Sequence, residues 1–183
     1  MYKNIKLLAV IDDEFFNDDA FYYASSIEKY ADIIWYRIKN KNEQYIKKIE
    51  KMRNIINNCP LVLSNDYITA LKFQYDGVHI NKYNIHNLNT IKKTTKLITG
   101  YSSHSTEEID NINTDYYTLS PIYDTPKKYQ VKPLGIVDCD KSKKVFALGG
   151  LNLENMEHTA SYFYGIAGIR LIKDIVDNAN FNP

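Results

Sequence analysis

The residues able to do chemistry in this sequence recur at one kind of place, just after a short apolar run. Arg37 and Lys39 follow one run, Asn65 and Asp66 the next, and His79, Asn81 and Asn84 the one after. Ser102 and His104 follow a fifth, and Ser120, Thr125, Lys127 and Lys128 a sixth. Gly149 and Gly150 close a seventh, and Gly168 and Arg170 an eighth. The set suits an anion. Arg37, Lys39, Lys127, Lys128 and Arg170 offer charge-assisted hydrogen bonds. The glycines allow close backbone approach to a phosphate. Asp66 is the one carboxylate placed for a hard cation, and it also precedes an apolar helical stretch as an N-cap would. His79 reads first as a buried, hydrogen-bonded core histidine and second as a base. His104, two residues past Ser102, reads as a loop-holding group or a base. No acidic orienter lies in sequence reach of a Ser-His pair.

The runs that must position these groups are Ile5–Ile11, Ile33–Arg37, Pro60–Ser64, Gly77–Ile80, Leu97–Gly100, Tyr116–Leu119, Val145–Leu148 and Gly165–Ile169. Between them lie stretches with helical spacing. Phe21–Tyr30 places Tyr22, Ile27 and Tyr30 near one face, and Glu43–Ile56 does the same with Ile46, Ile49, Met52 and Ile56. Ile68–Phe73, Ile85–Ile91, Thr106–Ile112 and Leu153–Phe163 follow, and Ser105 caps the helix at Thr106. Eight strands alternating with helices predict a (β/α)8 barrel, with the site at the C-terminal ends of the strands. A doubly wound sheet would carry a glycine-rich turn after its first strand, and Asp12-Asp13-Glu14 stands there instead. The chain has 183 residues where such barrels usually need about 250, so the barrel is lean. Only Gly135–Lys143 remain for a helix after strand six, which predicts one turn or none. One domain over residues 1–183 is expected.

Composition excludes several classes. A net charge of +1 supplies no broad field for nucleic acid. No run approaches the roughly 18 apolar residues of a membrane span. Cys59 and Cys139 form no spaced motif and read as reduced thiols of a cytoplasmic protein, and no signal peptide is expected. The expected partners are small phosphorylated substrates, with neither nucleic acid nor membrane; a homo-oligomer stays open.

The ordered blocks Leu8-Ala9-Val10-Ile11-Asp12, Tyr36-Arg37-Ile38-Lys39, Ser64-Asn65-Asp66, Asp76-Gly77-Val78-His79, Gly100-Tyr101-Ser102-Ser103-His104-Ser105, Ser120-Pro121-Ile122-Tyr123-Asp124-Thr125-Pro126-Lys127-Lys128 and Ala147-Leu148-Gly149-Gly150 resemble the thiamine phosphate synthase/TenI superfamily. The resemblance implies an enzyme that joins a pyrimidine diphosphate to a thiazole phosphate and releases pyrophosphate. It implies Mg2+, with Asp66 as one ligand. Arg37, Lys39, Asn65 and Lys128 would bind pyrophosphate, with Ser102 beside it. Thr125, Gly149 and Gly150 would contact the thiazole phosphate. The chain departs from that pattern at four places. A second metal aspartate falls on Asn84, and a pyrimidine-contacting glutamine falls on Trp35. The last phosphate-loop serine falls on Arg170, and a loop threonine on Lys127. The sister activity, a metal-free thiazole tautomerase, carries its histidine where Pro121 stands. That activity, with His79 or His104 as base, and a non-catalytic precursor-binding barrel are the alternatives.

Overall fold

The structure, a computed structural model, describes residues 5–125 and 131–179. Its elements follow from the alternation of β-branched runs and amphipathic stretches. In chain order they are β1 (Leu7–Asp12), α1 (Asp13–Phe16), α2 (Ala20–Ile27), β2 (Ile33–Arg37), α3 (Tyr45–Ile55), β3 (Leu61–Ser64), α4 (Tyr67–Lys72), β4 (Gly77–Ile80), α5 (Leu88–Thr94), β5 (Ile98–Ser103), α6 (Thr106–Asn111), β6 (Tyr116–Leu119), β7 (Val145–Leu148), α7 (Met156–Ala160), β8 (Gly165–Gly168) and α8 (Arg170–Ala179). Each strand pairs in parallel with the next, and β8 pairs with β1, so the sheet closes as a (β/α)8 barrel. Among the described residues no helix lies between β6 and β7, as the length of that segment predicted. No helix among them is long and apolar enough to cross a membrane.

The register is tied at the N-terminal ends of the strands by a repeated device. Asp32 precedes β2, Asp76 precedes β4 and Asp115 precedes β6. Each donates its backbone N–H to the preceding odd strand, at Leu7, Leu61 and Thr99, over 2.9 Å. Each carboxylate then accepts the N–H of that same residue, at 2.8, 2.8 and 2.7 Å respectively. Before β8 the place falls to Tyr164, which makes only the backbone bond, to Val145 at 3.1 Å.

Side chains alternate across the strands. Leu8, Val10, Trp35, Val62, Tyr116, Phe146 and Ala167 pack together inside the barrel, while Ala9, Ile11, Ile34, Leu61, Val78 and Ile166 pack in the larger core cluster with helix residues such as Ile27, Met52 and Ile172. The interior is largely aromatic. Trp35 stacks on His79 at 3.7 Å between ring centroids, His79 meets Tyr116 at 5.4 Å, and Tyr116 meets Phe146 edge-on at 5.9 Å. Gly100, level with His79 and Tyr116 in the neighbouring strands, makes this contact feasible. A Cβ there would collide with the Tyr116 ring and with His79 Nδ1.

The helix faces differ in part from those read off the sequence. In α2 the buried stripe is Ala20, Tyr23, Ala24 and Ile27, while Tyr22 and Tyr30 are exposed. In α3 it is Tyr45, Ile49 and Met52, with Ile46 outward. Both runs carry apolar side chains on adjacent positions, so spacing alone left the choice of face degenerate. The helix α8, which spacing did not mark, packs on α2, where Tyr23 donates to Asp177 at 2.9 Å.

Two outcomes are expected. Gly100→Ala costs about 1–3 kcal/mol in urea unfolding, because the interior is overpacked at that point. The second concerns His79. Burial, and then the charge of Arg37, push its pKa from 6.5 down to about 3. The folded state thus holds a neutral ring that the unfolded chain protonates below its own pKa. This contribution is complete above about pH 6.5 and shrinks as pH falls toward 3, by about 2 kcal/mol between pH 6.5 and 5. Unfolding of wild type and His79→Gln at pH 7.5 and 5 should give the variant the shallower loss.

Candidate functional site

The C-terminal rim gathers its polar groups in three clusters. The first is built by β1, β2 and β3. Asp12 ends β1, is 3% exposed, and caps α1 by accepting the N–H groups of Glu14 and Phe15 at 3.1 and 3.0 Å. Its other oxygen takes Arg37, level with it at the end of β2. Lys39 pairs with Glu14 and stands 4.0 Å from Asp12. Lys41, further along the same loop, pairs with Asp66. Of the cations expected to hold an anion, Arg37 and Lys39 are thus seated on carboxylates at and just after the end of β1.

Asp66 is the N-cap of α4, accepting Thr69 N–H at 3.0 Å through Oδ1. Its Oδ2 takes Lys41 Nζ at 2.5 Å and the Tyr45 hydroxyl at 3.1 Å. Burial pushes this carboxyl up, but Lys41 and Thr69 outweigh it and hold it below the usual carboxylate range. Asn65 beside it sits at φ +56°, and its Oδ1 is buried without a hydrogen-bond partner among the described residues.

The second cluster descends into the barrel. His79 Nε2 lies 2.9 Å from Ser102 Oγ, and Nδ1 lies 3.0 Å from the Tyr116 hydroxyl. Trp35 Nε1 donates to Ser64 Oγ at 2.8 Å, so the one polar atom of the indole is spent inside the protein. A 1% exposed ring with both nitrogens engaged and its basicity suppressed is a poor proton acceptor at neutral pH. His79 holds Ser102 in place.

The third cluster joins β6 and β7. Gly149 and Gly150 adopt φ of +99° and +69°, left-handed values that favour glycine. Their turn lies against the 121–124 segment, with Ile122 N–H on Leu148 O and Tyr123 N–H on Gly149 O, both at 3.0 Å. A Cβ on Gly150 would meet the Asp124 carbonyl at 2.6 Å, so the backbones approach as closely as glycine permits. Thr125 follows, partly exposed; Lys127 and Lys128 lie outside the described residues. His104 Nδ1 donates to Ser120 O at 2.8 Å, and its backbone N–H is held by Glu108 at 2.7 Å, so this histidine pins the loop. Gly168 packs directly on Leu171. Arg170 opens α8, exposed, over the Phe15 ring at 5.8 Å, and shares no contact with the cations of the first cluster.

A protein-held Mg2+ does not fit this donor set. Mg2+ takes a near-octahedral shell of oxygens, with one or two free carboxylates beside waters and substrate phosphates. Asp66 has three of its lone-pair sites occupied, one by an ammonium that repels a dication. Asn84 is a neutral amide that donates to Asn81 at 3.4 Å. Among the described residues no three His, Cys, Asp or Glu side chains gather closely enough to hold a metal ion.

Three participants escaped the sequence reading. Asp12 was visible at a strand end but carried no assigned role. Lys41 and Tyr45 lie beyond the strand end, on the following loop and at the first position of α3. Their only signal was the basic stretch Lys39-Asn40-Lys41.

A family model described as thiamine monophosphate synthase matches residues 7–175. A thiamine-phosphate synthase of Limosilactobacillus reuteri is 27% identical over 65% of this chain, and the chain spans only 60% of that relative's length. Thiamine-phosphate synthase 1 of Aquifex aeolicus is 26% identical over 78% of this chain and 70% of its own. A solved thiamine phosphate pyrophosphorylase from Pyrococcus furiosus superposes with a TM-score of 0.75 at 20% identity, covering 96% of this chain and 94% of that one. This last likeness is one of fold. With the family model running from β1 into α8, the chain belongs to the thiamine monophosphate synthase family.

Proposed function

We propose that this protein is a thiamine-phosphate synthase, joining a hydroxymethylpyrimidine diphosphate to a thiazole phosphate with release of pyrophosphate. The observation that carries the reading is the row of cations Arg37, Lys39 and Lys41 at the end of β2 and on the loop after it, seated on carboxylates that follow β1 and β3, within the rim that also holds Asn65 and Ser102. Departure of pyrophosphate concentrates negative charge on the leaving oxygens, and preoriented donors stabilise it as it develops. Arg37 meets Asp12 through one terminal nitrogen, which leaves the rest of its five-donor fork for phosphate oxygens. Asp12 fixes the direction of that fork. Lys39 pairs with the exposed Glu14 and can exchange it for a phosphate at little cost. Lys128 belongs to the same reading as a further pyrophosphate binder.

On the other side of the rim, the Gly149–Gly150 turn with Thr125 would receive the thiazole phosphate, with Gly168 and Arg170 at the neighbouring strand end. No step is assigned to a protein-held Mg2+. The tautomerase alternative gains no support: Pro121 stands at the histidine position, His79 is buried and fully bonded, and His104 is tied to Ser120.

Purified protein given both substrates should yield thiamine phosphate and pyrophosphate in equal amounts. No product, under conditions where a known synthase turns over, rejects the reading. Arg37→Gln should lower kcat/KM by about a hundredfold or more, the usual cost of removing a donor aimed at developing charge. His104→Asn should leave the chemical step within a few-fold of wild type. Loss of turnover on that change would instead support a histidine-based reaction.

A further inference from the structure

Lys41 differs in kind from the other cations at the rim. Its ammonium meets the Asp66 carboxylate at 2.5 Å and lies 5.3 Å from the Tyr45 ring centroid. The Tyr45 hydroxyl bonds the same carboxylate oxygen at 3.1 Å. An aromatic face and a partly buried carboxylate together make a seat for one compact cation, and Tyr45 itself is only 5% exposed. The Asp66 side chain is 14% exposed, while that of Lys41 is 59% exposed, so the ammonium faces outward over a carboxylate that faces in.

In the free protein the charges at Asp66 balance for a monovalent partner. Asp66 contributes one negative charge, and among the described residues it belongs to no group of three or more His, Cys, Asp or Glu side chains that could hold a metal ion. An ammonium neutralises that charge. A dication in the same place would, before any phosphate binds, leave a positive charge beside Lys41, and it would compete with Lys41 for Oδ2.

We propose that Lys41 is a resident cation of the pyrophosphate site, standing where a divalent ion bound to Asp66 would otherwise stand. With one N–H on Asp66, the ammonium keeps two donors for phosphate oxygens. Asp66 positions Lys41 and does not ligate a metal while the pair is intact. Asn65, whose buried Oδ1 has no partner among the described residues, adds an acceptor next to Asp66 for a third cation donor or for a protonated phosphate oxygen. The proposal rests on the pyrophosphate-binding part of the synthase reading, and the two fail separately.

The test is isothermal titration of the full chain with inorganic pyrophosphate, in EDTA and in Mg2+. Wild type should bind in EDTA. Lys41→Ala should weaken that binding by about ten- to a hundredfold, the worth of one charge-assisted hydrogen bond, while Lys41→Arg retains it. Mg2+ should then restore binding to Lys41→Ala, because its carboxylate is vacated, and should fail to restore it to the Lys41→Ala, Asp66→Asn double variant. Three results overturn the proposal: wild type that binds only with Mg2+, Lys41→Ala that matches wild type in EDTA, or no binding in either buffer. Binding in EDTA without any thiamine phosphate formed from the two substrates leaves Lys41 standing and rejects the synthase. Product formation that needs Mg2+, with no binding in EDTA, does the reverse.

Discussion

The site depends on a closed parallel sheet, and that sheet depends on three carboxylates at the end remote from the site. Asp32, Asp76 and Asp115 each clasp the preceding odd strand through two hydrogen bonds, one given by the backbone and one received by the side chain. A one-residue slip of a strand would exchange its inward and outward side chains. Here it would turn Trp35, His79 or Tyr116 toward the helices and carry Arg37 or Ser102 off the rim. The clasp fixes the registry from which all those positions follow.

Between clasp and rim lies an interior that is rich in aromatic rings and sparingly polar. The Trp35–His79–Tyr116 contact fills the width of the barrel beneath the rim, and it is feasible only because Gly100 brings no side chain to the same level. Every polar atom of that layer is partnered: indole with Ser64, imidazole with Ser102 and Tyr116. Ser102 is therefore held from below by a group that is itself immobilised. The position that the resemblance assigned to a pyrimidine contact is spent on this packing, which separates the chain from the pattern it otherwise follows. The rim above is close to self-neutral, since its first three cations each rest on a carboxylate.

Much of this was legible in the sequence. Four strands, Ile33–Arg37, Gly77–Ile80, Tyr116–Leu119 and Val145–Leu148, match the apolar runs residue for residue, because polar or glycine residues end the pattern sharply. Ser105 as a cap was legible from local chemistry, and the lack of a helix among the described residues between β6 and β7 from chain length. Asp66 was readable as a cap or a ligand, and both readings used the same lone pairs; only the positions of Lys41 and Tyr45 separate them. What stayed hidden depends on contacts between distant segments. The orientation of α2 and α3, the pairing of Asp12 with Arg37, and the seat of Lys41 all depend on which strand ends become neighbours when the barrel closes.

The clasping carboxylates have a consequence for how such a protein changes over generations. Asp32, Asp76 and Asp115 touch none of the groups at the rim, and Arg37, Lys39, Lys41 and Asn84 touch none of the clasps. The clasps and the cations of the rim therefore rest on separate residues, although Asp12 and Asp66 serve both as helix caps and as seats for those cations. An aspartate at position 84 could be exchanged for asparagine, or a lysine recruited at position 41, without any compensating change at the far end. The base of this barrel can stay as it is while its rim is altered residue by residue.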